Sequence, residues 1–198
     1  MAKNRIRSFV AVELAPQIRD ALADETARLA ALGADVNWVA PENLHMTLKF
    51  LGQVERRTVP EVLKGLESAA AASASFHAEV TGAFFFPSPT RPRVVASGVD
   101  PAAASSFEAL AERVEEELGT AGLPRSDKAF RAHVTLGRVK SPRNIRDLAD
   151  ALVTAGGEAF GEQEVEEMTL FMSELSRHGP TYTALGRVRI GAGRRTSP

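Results

Sequence analysis

The residues that could do chemistry recur in one short pattern. His-x-Thr-Leu occurs at His45-Met46-Thr47-Leu48 and again at His133-Val134-Thr135-Leu136, in a chain of 198 residues with four histidines. Both copies lie in short apolar runs of period-two alternation, which predicts half-buried strands. On such a strand His and Thr two positions apart share one face, while Met46 and Leu48, or Val134 and Leu136, share the other. An imidazole titrates near neutral pH and can take or give a proton. Two of them flanking one reacting centre can divide the work, one activating water and the other protonating a leaving oxygen. A Thr hydroxyl beside each could donate to a non-bridging oxygen of a phosphoryl transition state. Arg138, five positions past His133, offers a guanidinium suited to bidentate binding of phosphate. Simple alternation puts it on the face opposite His133, so it reaches the same cleft only through a bulge or strand end near Gly137. A lone His-x-Thr would be read as a satisfied histidine and a strand-forming threonine. Two copies with matching flanks favour a functional pair.

Other chemistries find less support. A metal site would need further ligands, and Glu42 and Asp127 show no ligand spacing. There is no Gly-x-Ser-x-Gly elbow and no Gly-x-Gly-x-x-Gly or Walker loop. The absence of cysteine excludes disulfides, thiolate metal sites and Cys nucleophiles, and it fits a reducing cytoplasm. A net charge of −1 argues against nucleic-acid binding by bulk positive field, but 24 Lys and Arg leave room for a local basic cleft. Hydrophobic content of 44% with 25% charged residues is ordinary for a soluble globular chain. No stretch approaches the ~20 apolar residues of a membrane span, and the apolar run after the basic start is too short for a signal core. His77 lies in an apolar strand and reads as structural. His178, in the turn 176–180, is open to a solvent-facing or cleft-lining role. Trp38 is core or a base-stacking platform, core being the simpler reading. Phe50 shares the parity of Met46 and Leu48, which makes it core by default.

The elements that must position the motifs alternate between strand and helix. Residues 5–14 read as a strand, and Pro16 opens a helix closed by Gly33. Residues 37–39 form a short strand, and 41–43 turn into the first motif strand, which stops at Gly52. A second helix begins at 58–60. Residues 76–86 and 93–99 form a hairpin about a Pro-rich turn. Asp100-Pro101 starts a helix burying Phe107, Leu110, Val114 and Leu118. After the second motif strand come a helix over about 142–154 and two strands, 165–175 and 181–190. The pattern predicts an α+β fold of two pseudo-symmetric lobes, each mainly antiparallel sheet with outer helices. The lobe boundary is expected near 87–100, with a strand swapped or shared between halves. Residues 1–190 are expected to form a single two-lobed domain, and 191–198 a flexible tail.

These residues carry a resemblance. The paired His-x-Thr motifs, with 7–12 near the start, Trp38-Val39, the run 41–52, the run 130–138, and Leu170 to Leu175 followed by 179–182, resemble the RNA 2′,3′-cyclic phosphodiesterase branch of the two-histidine phosphoesterases. That branch has long been called 2′-5′ RNA ligase. The likeness runs from Arg7 to about Val188. It implies His45 and His133 as the catalytic pair, Thr47 and Thr135 as phosphate ligands, Arg138 as a further phosphate contact, and Phe50 as a wall of the nucleotide pocket. The last conflicts with the parity of Phe50. The resemblance also implies opening of a 2′,3′-cyclic phosphate by water to a 2′-phosphate, with no metal and no cofactor. The expected partner is RNA ending in a cyclic phosphate, such as a tRNA fragment, met by a cytoplasmic monomer with no membrane association. An RNA-end binding module, a phosphodiesterase for a small cyclic nucleotide, and 2′-5′ joining stay open as alternatives. One departure stands out: the family has Pro before the second His, and this chain has Ala132, which alters the strand entry without removing a chemical group.

Overall fold

The structure is a computed structural model describing residues 4–177 and 179–191. His178 and residues 192–198 of the expected tail lie outside the described residues. The strands are β1 (Arg5–Glu13), β2 (Val36–Trp38), β3 (His45–Glu55), β4 (Phe76–Phe86), β5 (Val94–Val99), β6 (Val134–Val139), β7 (Ala159–Val165), β8 (Glu167–Ser176) and β9 (Gly179–Arg189). The helices are α1 (Pro16–Ala30), α2 (Val59–Ala71), α3 (Pro101–Thr120) and α4 (Ile145–Thr154). Among the described residues no helix is long and apolar enough to cross a membrane.

All the strands join one sheet in the order β7-β4-β5-β6-β3-β1-β8-β9, with β2 pairing to β6. The pairings are antiparallel throughout the described residues. The two motif strands, β3 and β6, are neighbours at the centre, and three strands flank each. This is the expected pair of lobes, but the lobe boundary is not at 87–100. That segment turns β4 into β5 within one half-sheet, their register running from Val80↔Val99 to Phe86↔Val94. The first half-sheet (β3, β1, β8, β9) is instead built from both ends of the chain, and the second (β6, β5, β4, β7) from its middle. A Pro-rich turn reads equally as hairpin or linker, and only pairing decides between them.

The sequence reading missed β7 as a separate strand. Its register against β4 shifts between Val80↔Gly161 and Thr81↔Ala159, a bulge that breaks the alternation between Phe160 and Val165, the two residues it buries.

One face of the sheet is packed under the four helices. Val10, Val12, Met46, Leu48, Val134 and Leu136 share a single buried cluster with Ile18, Leu22, Val62, Leu66, Phe107, Leu110, Val114, Leu148 and Leu152. Burying each large side chain of this kind contributes roughly 1.5–3 kcal/mol. The apolar half of each His-x-Thr-Leu is therefore core, as alternation requires. α3 begins where expected: the Asp100 carboxylate accepts from Ala102 N and Ala103 N at 3.0 Å each and also from Glu79 N at 3.0 Å. The carboxyl is held below its usual range chiefly by the Ala103 and Glu79 hydrogen bonds. β2 lies across β6 with Trp38 opposite Gly137. A Cβ on Gly137 would come within 2.5 Å of Val36 Cγ1 and 2.7 Å of Trp38 Cε3, so the glycine after the second motif makes room for that strand. Trp38 packs half-buried against the core.

Two bulges bend β3 against β1. The register skips Leu51 between Ser8↔Gly52 and Phe9↔Phe50, and skips Leu48 between Val10↔Lys49 and Ala11↔Thr47. The second turns Lys49 inward, leaving it 4% exposed. Its ammonium pairs with the Glu115 carboxylate and donates to Pro124 O at 2.9 Å, and Glu115 accepts Ser126 N at 3.1 Å. The ion pair thus ties the first motif strand to α3 and to the segment that leads into the second motif. Removing one member of such a buried pair strands the other without water. Glu115→Ala is expected to lower the unfolding free energy by ~3–5 kcal/mol, read by urea denaturation. A change of less than about 0.5 kcal/mol, the scale of an ordinary surface substitution, would show that Lys49 does not depend on this partner.

Candidate active site

The joint between the half-sheets sets the site. The register pair joining β3 to β6 is Met46↔Val134, both fully buried. Around an antiparallel pair, the residue before one member lies across from the residue after the other. His45 therefore faces Thr135 and Thr47 faces His133, a diagonal arrangement with a local two-fold character. All four are half-buried, on the face away from the helices. Neither threonine hydroxyl has a hydrogen-bond partner among the described residues.

Both histidines are held in the same way. His45 Nδ1 lies 2.7 Å from Asn43 O, and His133 Nδ1 lies 2.7 Å from Arg131 O. A carbonyl can only accept, so each Nδ1 carries hydrogen and donates, which leaves each Nε2 as the nitrogen free to exchange a proton. An aromatic ring stacks on each imidazole: Phe9 on His45 at 4.8 Å and Phe86 on His133 at 4.9 Å between centroids. Tyr182 meets His45 edge-on at 5.3 Å. Arg131 places its guanidinium carbon 5.4 Å from the Phe86 ring centre.

Burial pushes both imidazoles below their ordinary value, and the carbonyl hydrogen bonds oppose this. His45 is lowered further by the charge of His133, whereas His133 is lowered further by Arg131 and Arg138. The surroundings are therefore unequal, with the cationic neighbours gathered on His133.

Bulges also decide which other side chains reach this face. The β5–β6 register skips Leu136 between Val95↔Gly137 and Ala96↔Thr135, so Arg138 changes parity and turns toward the histidines. It lies directly opposite Val94, which lies opposite Phe86, the ring stacked on His133. Phe50 follows the same rule in the first copy. The bulge at Leu48 reverses its parity, so it is not core: it is 65% exposed, with its ring 6.1 Å from Phe9. Phe50 and Arg138 each stand five positions past a histidine, so they are equivalent positions of the two lobes, one aromatic and one cationic. His77 does not join the site; it is exposed on β4 and pairs with Glu162 at 3.1 Å. Sequence reasoning passed over Phe9, Phe86, Tyr182 and Arg131 as site residues. The signal for Phe9 was its place two positions from Arg7 in an alternating strand, and for Tyr182 its being the chain's one tyrosine.

Two identically held histidines, each beside the other's threonine on the open face of a curled antiparallel sheet, make up the candidate site. A family model described as LigT like Phosphoesterase matches residues 12–96 and 98–182, each segment carrying one motif, and the chain belongs to that family. Among curated relatives, the RNA 2′,3′-cyclic phosphodiesterase of Archaeoglobus fulgidus is 37% identical over 180 residues, 91% of this chain and 98% of that one. The protein of the same name from Methanothermobacter thermautotrophicus is 34% identical over 193 residues, 94% of this chain and 100% of the relative. The crystal structure of TT0787 of Thermus thermophilus is similar with a TM-score of 0.76 at 30% identity, over 94% of this chain and 98% of that chain.

The titration of the pair is directly testable. A depressed imidazole stabilises the fold above its unfolded value and withdraws that stabilisation as pH falls through the folded one. By proton NMR both imidazoles are expected to titrate below about 6.5. Arg138→Gln removes a positive charge beside His133, so the His133 titration should move upward. An unmoved His133 would show that Arg138 does not face it.

Proposed function

We propose that this protein is a metal-independent RNA 2′,3′-cyclic phosphodiesterase that opens the ring to a 2′-phosphate, with residues 1–190 acting as one catalytic unit. The observation that carries this is the matched pair of Nε2 atoms with a threonine hydroxyl beside each; the names of the relatives support the substrate class. His133 acts as general base: it takes a proton from water as the water oxygen bonds to phosphorus. The bond from phosphorus to O3′ breaks, and His45 as general acid gives O3′ its proton. Arg131 and Arg138 support this order, because two cations beside His133 disfavour an imidazolium there and leave the shared proton to His45. Thr47, Thr135 and Arg138 hold the non-bridging oxygens, where developing negative charge is stabilised. Phe50 presents an exposed face on which the terminal base can stack. With an RNA 5′-hydroxyl in place of water, the same step forms a 2′–5′ linkage, so joining and hydrolysis share one site.

The test is a short RNA ending in a 2′,3′-cyclic phosphate, incubated with protein in EDTA, with the product assigned by phosphorus NMR. A 2′-phosphate is expected, and His45→Ala and His133→Ala are each expected to slow turnover by ~10²–10⁴-fold. A 3′-phosphate product would reverse the leaving oxygen. Intact binding without ring opening would make the protein an RNA-end binding module.

A further inference from the structure

The open face of the first half-sheet carries a second row of groups beyond the aromatic one. Gln53 of β3 lies opposite Arg7 of β1, Arg7 opposite Ser173 of β8, and Ser173 opposite Tyr182 of β9. Residues directly opposite in an antiparallel sheet share a face. This face is the one bearing the histidines, because Phe9, two positions from Arg7, stacks on His45. The row thus lines up an amide, a guanidinium, a hydroxyl and a phenol beside the row Phe50, Phe9 and Phe171. Arg7 is exposed and has no carboxylate partner among the described residues, whereas Arg5, at the same end of β1, is engaged with Gln53 O at 2.9 Å. Tyr182 is fixed by edge contacts to Phe9 at 4.9 Å and to His45 at 5.3 Å. Its hydroxyl feels the charges of both Arg138 and Arg7, although burial is the larger influence and raises it.

An exposed, unpaired guanidinium beside a hydroxyl and a phenol, at the rim of a site for one phosphate, is a place for a second phosphate. We propose that Arg7, with Ser173 and Tyr182, binds the phosphodiester on the 5′ side of the terminal nucleotide, so that the enzyme selects an RNA chain end over a free cyclic mononucleotide. This rests on the phosphodiesterase reading above. The aromatic row between the two anion sites would then lie under the terminal nucleoside. The net charge of −1 is consistent with this, since recognition by two placed phosphate sites needs no bulk positive field.

The experiment compares kcat/KM for cytidine 2′,3′-cyclic phosphate with that for the dinucleotide CpC bearing the same cyclic end. The wild type is expected to prefer the dinucleotide by roughly tenfold, the scale of one charge-assisted hydrogen bond. Arg7→Gln should remove most of that preference while leaving the mononucleotide rate within about twofold. Arg7→Gln should also reduce the salt slope for the dinucleotide by about 0.7, one phosphate contact on a single strand. A dinucleotide with an uncharged methylphosphonate at its internal linkage should lose the preference with the wild-type enzyme, whatever a substitution does to folding. Equal rates on the two substrates, or a preference that survives the methylphosphonate, would overturn the second phosphate site and leave the catalytic reading standing. Failure to open either substrate would remove the catalytic reading and this inference with it.

Discussion

The cleft depends on a single cross-strand contact. Met46 and Val134 pair at the centre of the sheet, both buried on its helix-packed face, and each is flanked by a histidine and a threonine. Because the pairing is antiparallel, one register fixes all four functional side chains at once. A slip of one residue in either motif strand would carry its histidine into the helix-packed core and bring its apolar partners out. The large hydrophobic cluster beneath makes such a slip costly, so the core that stabilises the fold also sets the spacing of the two imidazoles. The buried Lys49–Glu115 pair adds a second tie, from the first motif strand to the segment that delivers the second.

The local two-fold arrangement is incomplete. The histidines share their hydrogen-bond geometry and their stacked rings, yet the position five residues further on is Phe50 in one lobe and Arg138 in the other. A nucleotide end is itself asymmetric, with a flat base on one side and charged oxygens on the other. Unequal charge around two otherwise equivalent imidazoles is also what an acid–base pair needs, since both cannot occupy the same protonation state in the productive complex.

The alternation of His45-Met46-Thr47-Leu48 and its echo at 133–136 made the strands, their buried faces and the paired site readable from the sequence, because period two is a local property. The α3 cap at Asp100-Pro101 was legible for the same reason. What escaped was produced by bulges and by pairing at long range. Phe50 and Arg138 change face because one extra residue is taken up at Leu48 and at Leu136, and nothing in the local pattern marks those residues as bulged. β7 was hidden by a bulge at Phe160. Arg7, Ser173 and Tyr182 come from opposite ends of the chain, and only the register of three strands makes them a row.

That same chain path has a consequence for how the molecule comes into being. The half-sheet bearing His45 takes β1 and β3 from the amino-terminal part and β8 and β9 from the carboxy-terminal part, whereas the half bearing His133 is contiguous. During synthesis the contiguous half can pair its strands early, but β1 waits with its outer edge open until β8, which follows the whole of that half, emerges. Its Arg5 and Arg7 place two positive charges on that waiting strand, of the kind that discourages pairing with other chains.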